Sequence, residues 1–250
     1  MIAWSADSLR QKFVTLHIST SVQNHSFIYY IPFTMFTLFI ISALLLTLPI
    51  TGGQATASFS CDTISDATFQ RMYGKSIPYG HEGIRRSLRY LRVLHVDGEG
   101  KTRQGEIVCN EAIANDLLDI FRRLYEAQYP IESIRLIDDY NAEDEASMAA
   151  NNTSCFCYRT IAGSGRLSRH SAGMAVDINP LYNPCVKRHR SGKTTVQPAG
   201  GTRWSNRSHN FKYKIAKNDL CYRLFKEHGF IWGGDWKNTK DYQHFEKNSR

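Results

Sequence analysis

The sequence predicts an α+β fold, with two or three helices packed on an antiparallel sheet, and three stretches predict it. Arg89 to Asp97 and Gln104 to Cys109 are apolar runs joined by the turn signal Asp97-Gly98-Glu99-Gly100, which together read as a β-hairpin. Ile113, Leu117, Ile120, Phe121 and Leu124 recur at i, i+4, i+7, i+8 and i+11, the single apolar stripe of an amphipathic helix. Met174, Val176 and Ile178 alternate with Ala175, Asp177 and Asn179, the pattern of a strand with one face buried.

Taken in order, the chain divides into residues 1–57 and a domain over 58–250. Phe33 to Ile50 is almost wholly apolar and uncharged, and Ala55-x-Ala57 supplies the small residues of a signal-peptidase site. Cleavage as a signal peptide is the expectation, with an uncleaved membrane anchor as the alternative. Either way the rest of the chain is exported, to the periplasm or cell envelope.

Ser58 to Gly83 is a polar lead-in with no clear period. After the hairpin, Asn110 caps the helix and Pro130 stops it. Ser133 to Ile137 is a short strand. Asp138 to Ala150 is acidic, and without the glycine and spacing of a calcium loop it reads as a solvated face. Val186 to Lys214 is a long polar connection without periodicity, expected to rim the cleft and bring positive charge to it. Asp219 to His228 is a further helix, ended by Gly229. Phe230 to Trp232 begins a strand that the Asp241 to Glu246 segment returns alongside.

The formal net charge of +8 arises from 31 basic and 23 acidic residues. No nucleic-acid motif accompanies it, and attraction to an anionic polymer such as a cell wall fits equally well. Basic charge alone does not choose, but nucleic-acid binding conflicts with the expected export. Six cysteines (61, 109, 155, 157, 185 and 221) in an exported chain predict disulfides, with 15 connectivities open; reduced, buried thiols are the alternative.

Two segments carry the chemistry. Ser168-Arg169-His170-Ser171-Ala172-Gly173-Met174-Ala175-Val176-Asp177 is answered by Asp241-Tyr242-Gln243-His244-Phe245-Glu246. His170, Asp177 and His244 form a ligand set that zinc accepts, with a fourth position open for water. Asp241 is the spare carboxylate able to move a proton. Residues three apart on a regular strand face opposite ways, so Asp241 and His244 can converge only if a turn or bulge separates them.

Ser-x-His-x2-Gly-x-Ala-x-Asp followed by Asp-x2-His resembles the zinc D-alanyl-D-alanine peptidase family. That family includes VanX-like dipeptidases, VanY-like carboxypeptidases and peptidoglycan endopeptidases. The resemblance runs from about Ser76 to Glu246 and takes in the Asn179 to Pro184 and Trp232 to Trp236 runs. It implies the fold shared with Hedgehog signalling domains, a bound zinc, and Asp241 as general base. It further implies Arg159 as electrophilic partner and Ser168 in holding substrate. Arg166 and Arg169 are rivals to Arg159. If its segment is extended, Arg169 faces away from His170 and Ser168 shares its face. Trp232 and Trp236 are candidates for the cleft floor or for the core.

The implied function is cleavage of D-amino-acid bonds in peptidoglycan stem peptides, with D-alanyl-D-alanine carboxypeptidase in front. The alternatives are an endopeptidase (L-Ala-D-Glu or cross-link) and a non-catalytic zinc-bearing binding or signalling module.

Overall fold

The computed structural model describes residues 59–161 and 163–248, so the expected signal peptide or anchor over 1–57 lies outside the described residues. Strand β1 (Ser60–Thr63) leads to helix α1 (Asp66–Met72). Strands β2 (Leu88–Val96) and β3 (Thr102–Asn110) form the predicted hairpin, with Leu91 opposite Ile107. Strand β1 adds to its open edge, with Cys61 opposite Leu91. The polar lead-in is thus structured. Four residues of β1 are too few to show a period, and α1 displays only Thr68 and Met72 to the interior.

Alternation in β2 is imperfect because the sheet is covered on both faces. Leu91, Val93, Ile107 and Cys109 face the main core, whereas Leu88 and Val108 face a second cluster with Ile64, Met72, Ile77 and Phe156. Helix α2 (Glu111–Glu126) lies on the first face, with all five residues of its stripe buried. Burying each such side chain contributes about 1.5–3 kcal/mol before conformational entropy is charged against it. Asn110 Oδ1 accepts from the Ala112 N–H at 3.0 Å, the expected N-cap.

Beyond α2, β4 (Ser133–Ile134) pairs in parallel with β5 (Asn152–Thr153). Between them lie a 3₁₀ turn (Ile137–Tyr140) and helix α3 (Asp144–Ala149). The reading of this region as a solvated acidic face is corrected at two residues. Asp138 is buried and accepts from the Ser76 N–H, and Asp144 is half-buried against Arg159.

Strand β6 is short (Ala175–Asp177) and buried on both faces, because β11 lies beside it and the core sits beneath. Val186 to Lys214 is not a featureless connection. Strands β7 (Cys185–Arg188) and β8 (Thr194–Gln197) form a hairpin, followed by a 3₁₀ turn (Ala199–Trp204). Their outward polar residues erase the apolar period that would have announced them.

Helix α4 (Leu220–Glu227) starts at its cap Asp219 and packs Cys221, Leu224 and Phe225 inward. Strands β9 (Ile231–Trp232), β10 (Thr239–Asp241) and β11 (His244–Glu246) complete the domain. Strand β11 lies between β6 and β9, while β10 pairs with β7 in a different sheet.

All six cysteines are free thiols, which corrects the disulfide expectation. Cys109, Cys155, Cys157 and Cys221 are buried as small apolar groups. Burial pushes the Cys157 thiol up to about 12 and the Cys109, Cys155 and Cys221 thiols up as well. Among the described residues no helix is long and apolar enough to cross a membrane.

Candidate metal centre and active site

The first motif begins as a tight turn. Arg169 to Ala172 form a 3₁₀ turn, so the expectation of an extended segment here is corrected. Ser168 caps it, its Oγ accepting from the His170 N–H at 3.3 Å. Gly173 closes it at φ +65°, a conformation L side chains seldom adopt, and a Cβ there would lie 2.6 Å from the Asn110 nitrogen. The Gly173 carbonyl accepts from that same Asn110 N–H, and Asn110 Nδ2 donates to the Ala172 carbonyl. The start of α2 is therefore tied to the turn that carries His170.

The second motif solves the facing problem by changing sheets. Asp241 ends β10, Tyr242-Gln243 turns the chain, and His244 opens β11 opposite Asp177. Gly233 permits the close approach, since a Cβ there would meet Asp241 at 2.6–2.7 Å and His244 Cβ at 3.3 Å.

These turns bring His170, Asp177 and His244 together, all three buried. His170 Nδ1 donates to the Cys155 carbonyl at 2.6 Å, which leaves Nε2 as the unprotonated nitrogen facing the centre. His244 Nε2 donates to Glu246 Oε2 at 3.1 Å, which turns its Nδ1 inward. The inward atoms stand 3.2 Å (His170 Nε2 to His244 Nδ1), 3.0 Å (His244 Nδ1 to Asp177 Oδ1) and 3.3 Å (His170 Nε2 to Asp177 Oδ2) apart. Ligand atoms bound tetrahedrally at 2.0–2.1 Å are separated by about 3.3 Å, so the residues fit zinc.

The electrostatics agree. Burial opposes a charged His244, yet its hydrogen bonds to the Asp177 and Glu246 carboxylates outweigh it and push the imidazole up to about 10. Asp177 is held well below the usual carboxylate range: burial works against its charge, and the two histidines overcome that. The centre is built around positive charge.

Asp241 is the neighbouring acid. Burial pushes it up to about 6, with His244 acting in the opposite sense. Its Oδ1 is buried and has no protein partner among the described residues. Cys185 stands opposite it across the β7–β10 pair. Arg159 Nε lies 2.6 Å from Asp144 Oδ2, in an ion pair whose N–H is not aimed along the contact. Arg169 instead reaches Asn248 at the surface. Trp236 packs its ring 5.4 Å from that of His244, whereas Trp232 is core and donates Nε1 to the Tyr242 carbonyl.

Two participants escape a reading of the sequence. Glu246 orients His244, and the i, i+2 spacing on one strand was the available signal. Asp144 pairs with Arg159 from α3, across a separation that no local pattern reveals.

The sequence model of the D-alanyl-D-alanine carboxypeptidase family matches residues 162–247, the part of the chain that carries both motifs. The match supports the resemblance to this family, whose members are zinc peptidases, over residues 162–247. No solved structure matches the chain. The α+β arrangement is consistent with such a peptidase domain, and the family match supports a hydrolase.

Proposed function

We propose that the protein is an exported zinc metallopeptidase that removes the terminal D-alanine from peptidoglycan stem peptides. The observation that carries the reading is the set of 3.0–3.3 Å separations among His170, Asp177 and His244, with Asp241, whose buried Oδ1 has no protein partner among the described residues, as the neighbouring acid. A non-catalytic module has no use for such an acid.

His170, Asp177 and His244 would hold the cation, which would supply Lewis-acid polarisation of the scissile carbonyl and lower the pKa of the attacking water. Asp241 accepts the proton of that water through its free Oδ1 and delivers it to the leaving amine. Arg159, steadied by Asp144, offers its guanidinium to the developing oxyanion. Ser168 keeps its hydroxyl proton while its oxygen caps the His170 turn, so it can still donate to substrate. Trp236 forms an aromatic wall beside His244.

Recognition of a free terminal carboxylate requires a further donor. The β7–β8 hairpin presents Lys187, Arg188, Arg190 and Lys193 next to β10, which bears Asp241. Arg207 does not serve there, because its guanidinium is committed to the Tyr182, Trp204 and Ile215 carbonyls and Asn183 Oδ1. Export rests on the apolar run from Phe33 to Ile50 followed by Ala55-x-Ala57.

The test offers the pentapeptide stem as the free acid and as the C-terminal amide, with products read by mass spectrometry. Release of D-alanine from the acid alone is expected. Equal cleavage of both, or cuts within the stem, would replace the carboxypeptidase with an endopeptidase.

A further inference from the structure

A second concave site lies beside strand β10. It encloses about 480 Å³ and is lined by Arg207, Lys214, Lys217, Lys240, Asp235 and Tyr242, among others. Asp241 belongs to strand β10 and faces the metal centre. Lys240 and Tyr242, on either side of it in the chain, line this pocket. Lys240 and Asp241 are successive residues of β10, whose side chains point to opposite faces, so the pocket lies across the strand from the metal centre.

The charges in this pocket are fixed but not neutralised. Lys214 Nζ donates to the Arg207 and His209 carbonyls at 2.7 and 2.9 Å, and Lys240 Nζ to the Gly234 carbonyl at 3.0 Å. The Arg207 fork is occupied by the four oxygens named above. Carbonyl oxygens orient a cation without cancelling its charge. Among the described residues, none of these four cations forms an ion pair with a carboxylate, and Asp235 is the sole acid lining the pocket. Burial pulls Arg207 down to about 10, against the opposing pull of Tyr242, Tyr129 and Asp219.

We infer that this pocket binds a phosphate-bearing ligand. Carboxylates are recognised best by the two-pronged fork of a free arginine, and Arg207 has spent its fork. Ammonium groups act as point charges with spare protons. Two pinned ammoniums and the exposed Lys217 suit a tetrahedral oxyanion with several acceptor oxygens. The volume is that of a small-molecule site, larger than a single ion requires. A free phosphate ester and the phosphodiester of a polymer share this chemistry.

The test is calorimetric titration of the full chain, stripped of metal with a chelator, using three probes. Pyrophosphate represents a free phosphate compound, glycerophosphoglycerol a phosphodiester, and succinate a dicarboxylate. Binding of either phosphate probe in preference to succinate is expected, and the tighter of the two names the source. Lys217→Glu alters an exposed residue, and Lys240→Ala removes a pinned ammonium; each is expected to weaken binding about tenfold. Circular dichroism and zinc content verify that both variants fold. The proposal is overturned if no phosphate probe binds, if succinate binds as well, or if both variants bind like the parent. Binding that disappears on chelation would place the anion at the metal and overturn it too.

Discussion

His170 Nε2 and His244 Nδ1 face each other at 3.2 Å, each aimed by a hydrogen bond on its other ring nitrogen. With the Asp177 carboxylate alongside at 3.0–3.3 Å, these nitrogens are grouped as the ligand atoms of one cation would be. The expected content is about one zinc per purified chain. His170→Ala and His244→Ala should each lose most of it, as measured by plasma mass spectrometry. Full zinc in both variants would place the metal elsewhere.

Glu246 tests whether aim matters as well as ligand identity. It lowers the cost of a correctly oriented His244, and a hydrogen bond to a ligating imidazole strengthens metal binding. Glu246→Gln should weaken zinc about 10- to 100-fold in a competition titration with a chromogenic chelator. The substitution preserves shape, so folding should be unchanged. Parent-like affinity would reduce Glu246 to a surface residue.

Gly173 links the metal turn to the core. Alanine there must adopt a left-handed φ, costing about 1–2 kcal/mol, and must also displace the Asn110 backbone at the start of α2. Gly173→Ala should therefore destabilise by more than about 1–2 kcal/mol in urea unfolding, with loss of zinc at the same time. A change confined to stability would show that the turn recovers its geometry.

The parts legible in the sequence were those where a period or a spacing reports one physical constraint. The α2 stripe, the β2–β3 hairpin and the His170, Asp177, His244 set are of that kind. Strand β6 misled, since its alternation of Val176 with Ala175 and Asp177 suggested a wet face. Ala175 is buried by packing, and Asp177 by the histidines. The β7–β8 hairpin was hidden because its stability comes from pairing with β10, a contact distant in sequence. Disulfides were expected from compartment and number. The thiols are instead buried and separate, which neither quantity encodes.

Asp241 yields the sharpest test, because its two roles oppose each other in pH. Its folded-state value of about 6 lies above the ordinary 3.8, raised by burial. The folded chain thus holds the proton more tightly than the unfolded chain does. Stability associated with this group is full below about pH 3.8 and is lost as pH rises through about 6. In metal-free protein, Asp241→Asn should raise the unfolding midpoint at pH 8 and leave it little changed near pH 4. Catalysis runs the other way, since a base must be ionised. Turnover of the parent should fall as pH drops through about 6, with the limb displaced downward where a bound cation adds positive charge. Asp241→Asn should retain zinc and lose about 100- to 10,000-fold in kcat. A variant that is more stable at pH 8, zinc-loaded and inactive would identify the acid as the base. One that is stable and active would assign the proton transfer to another group.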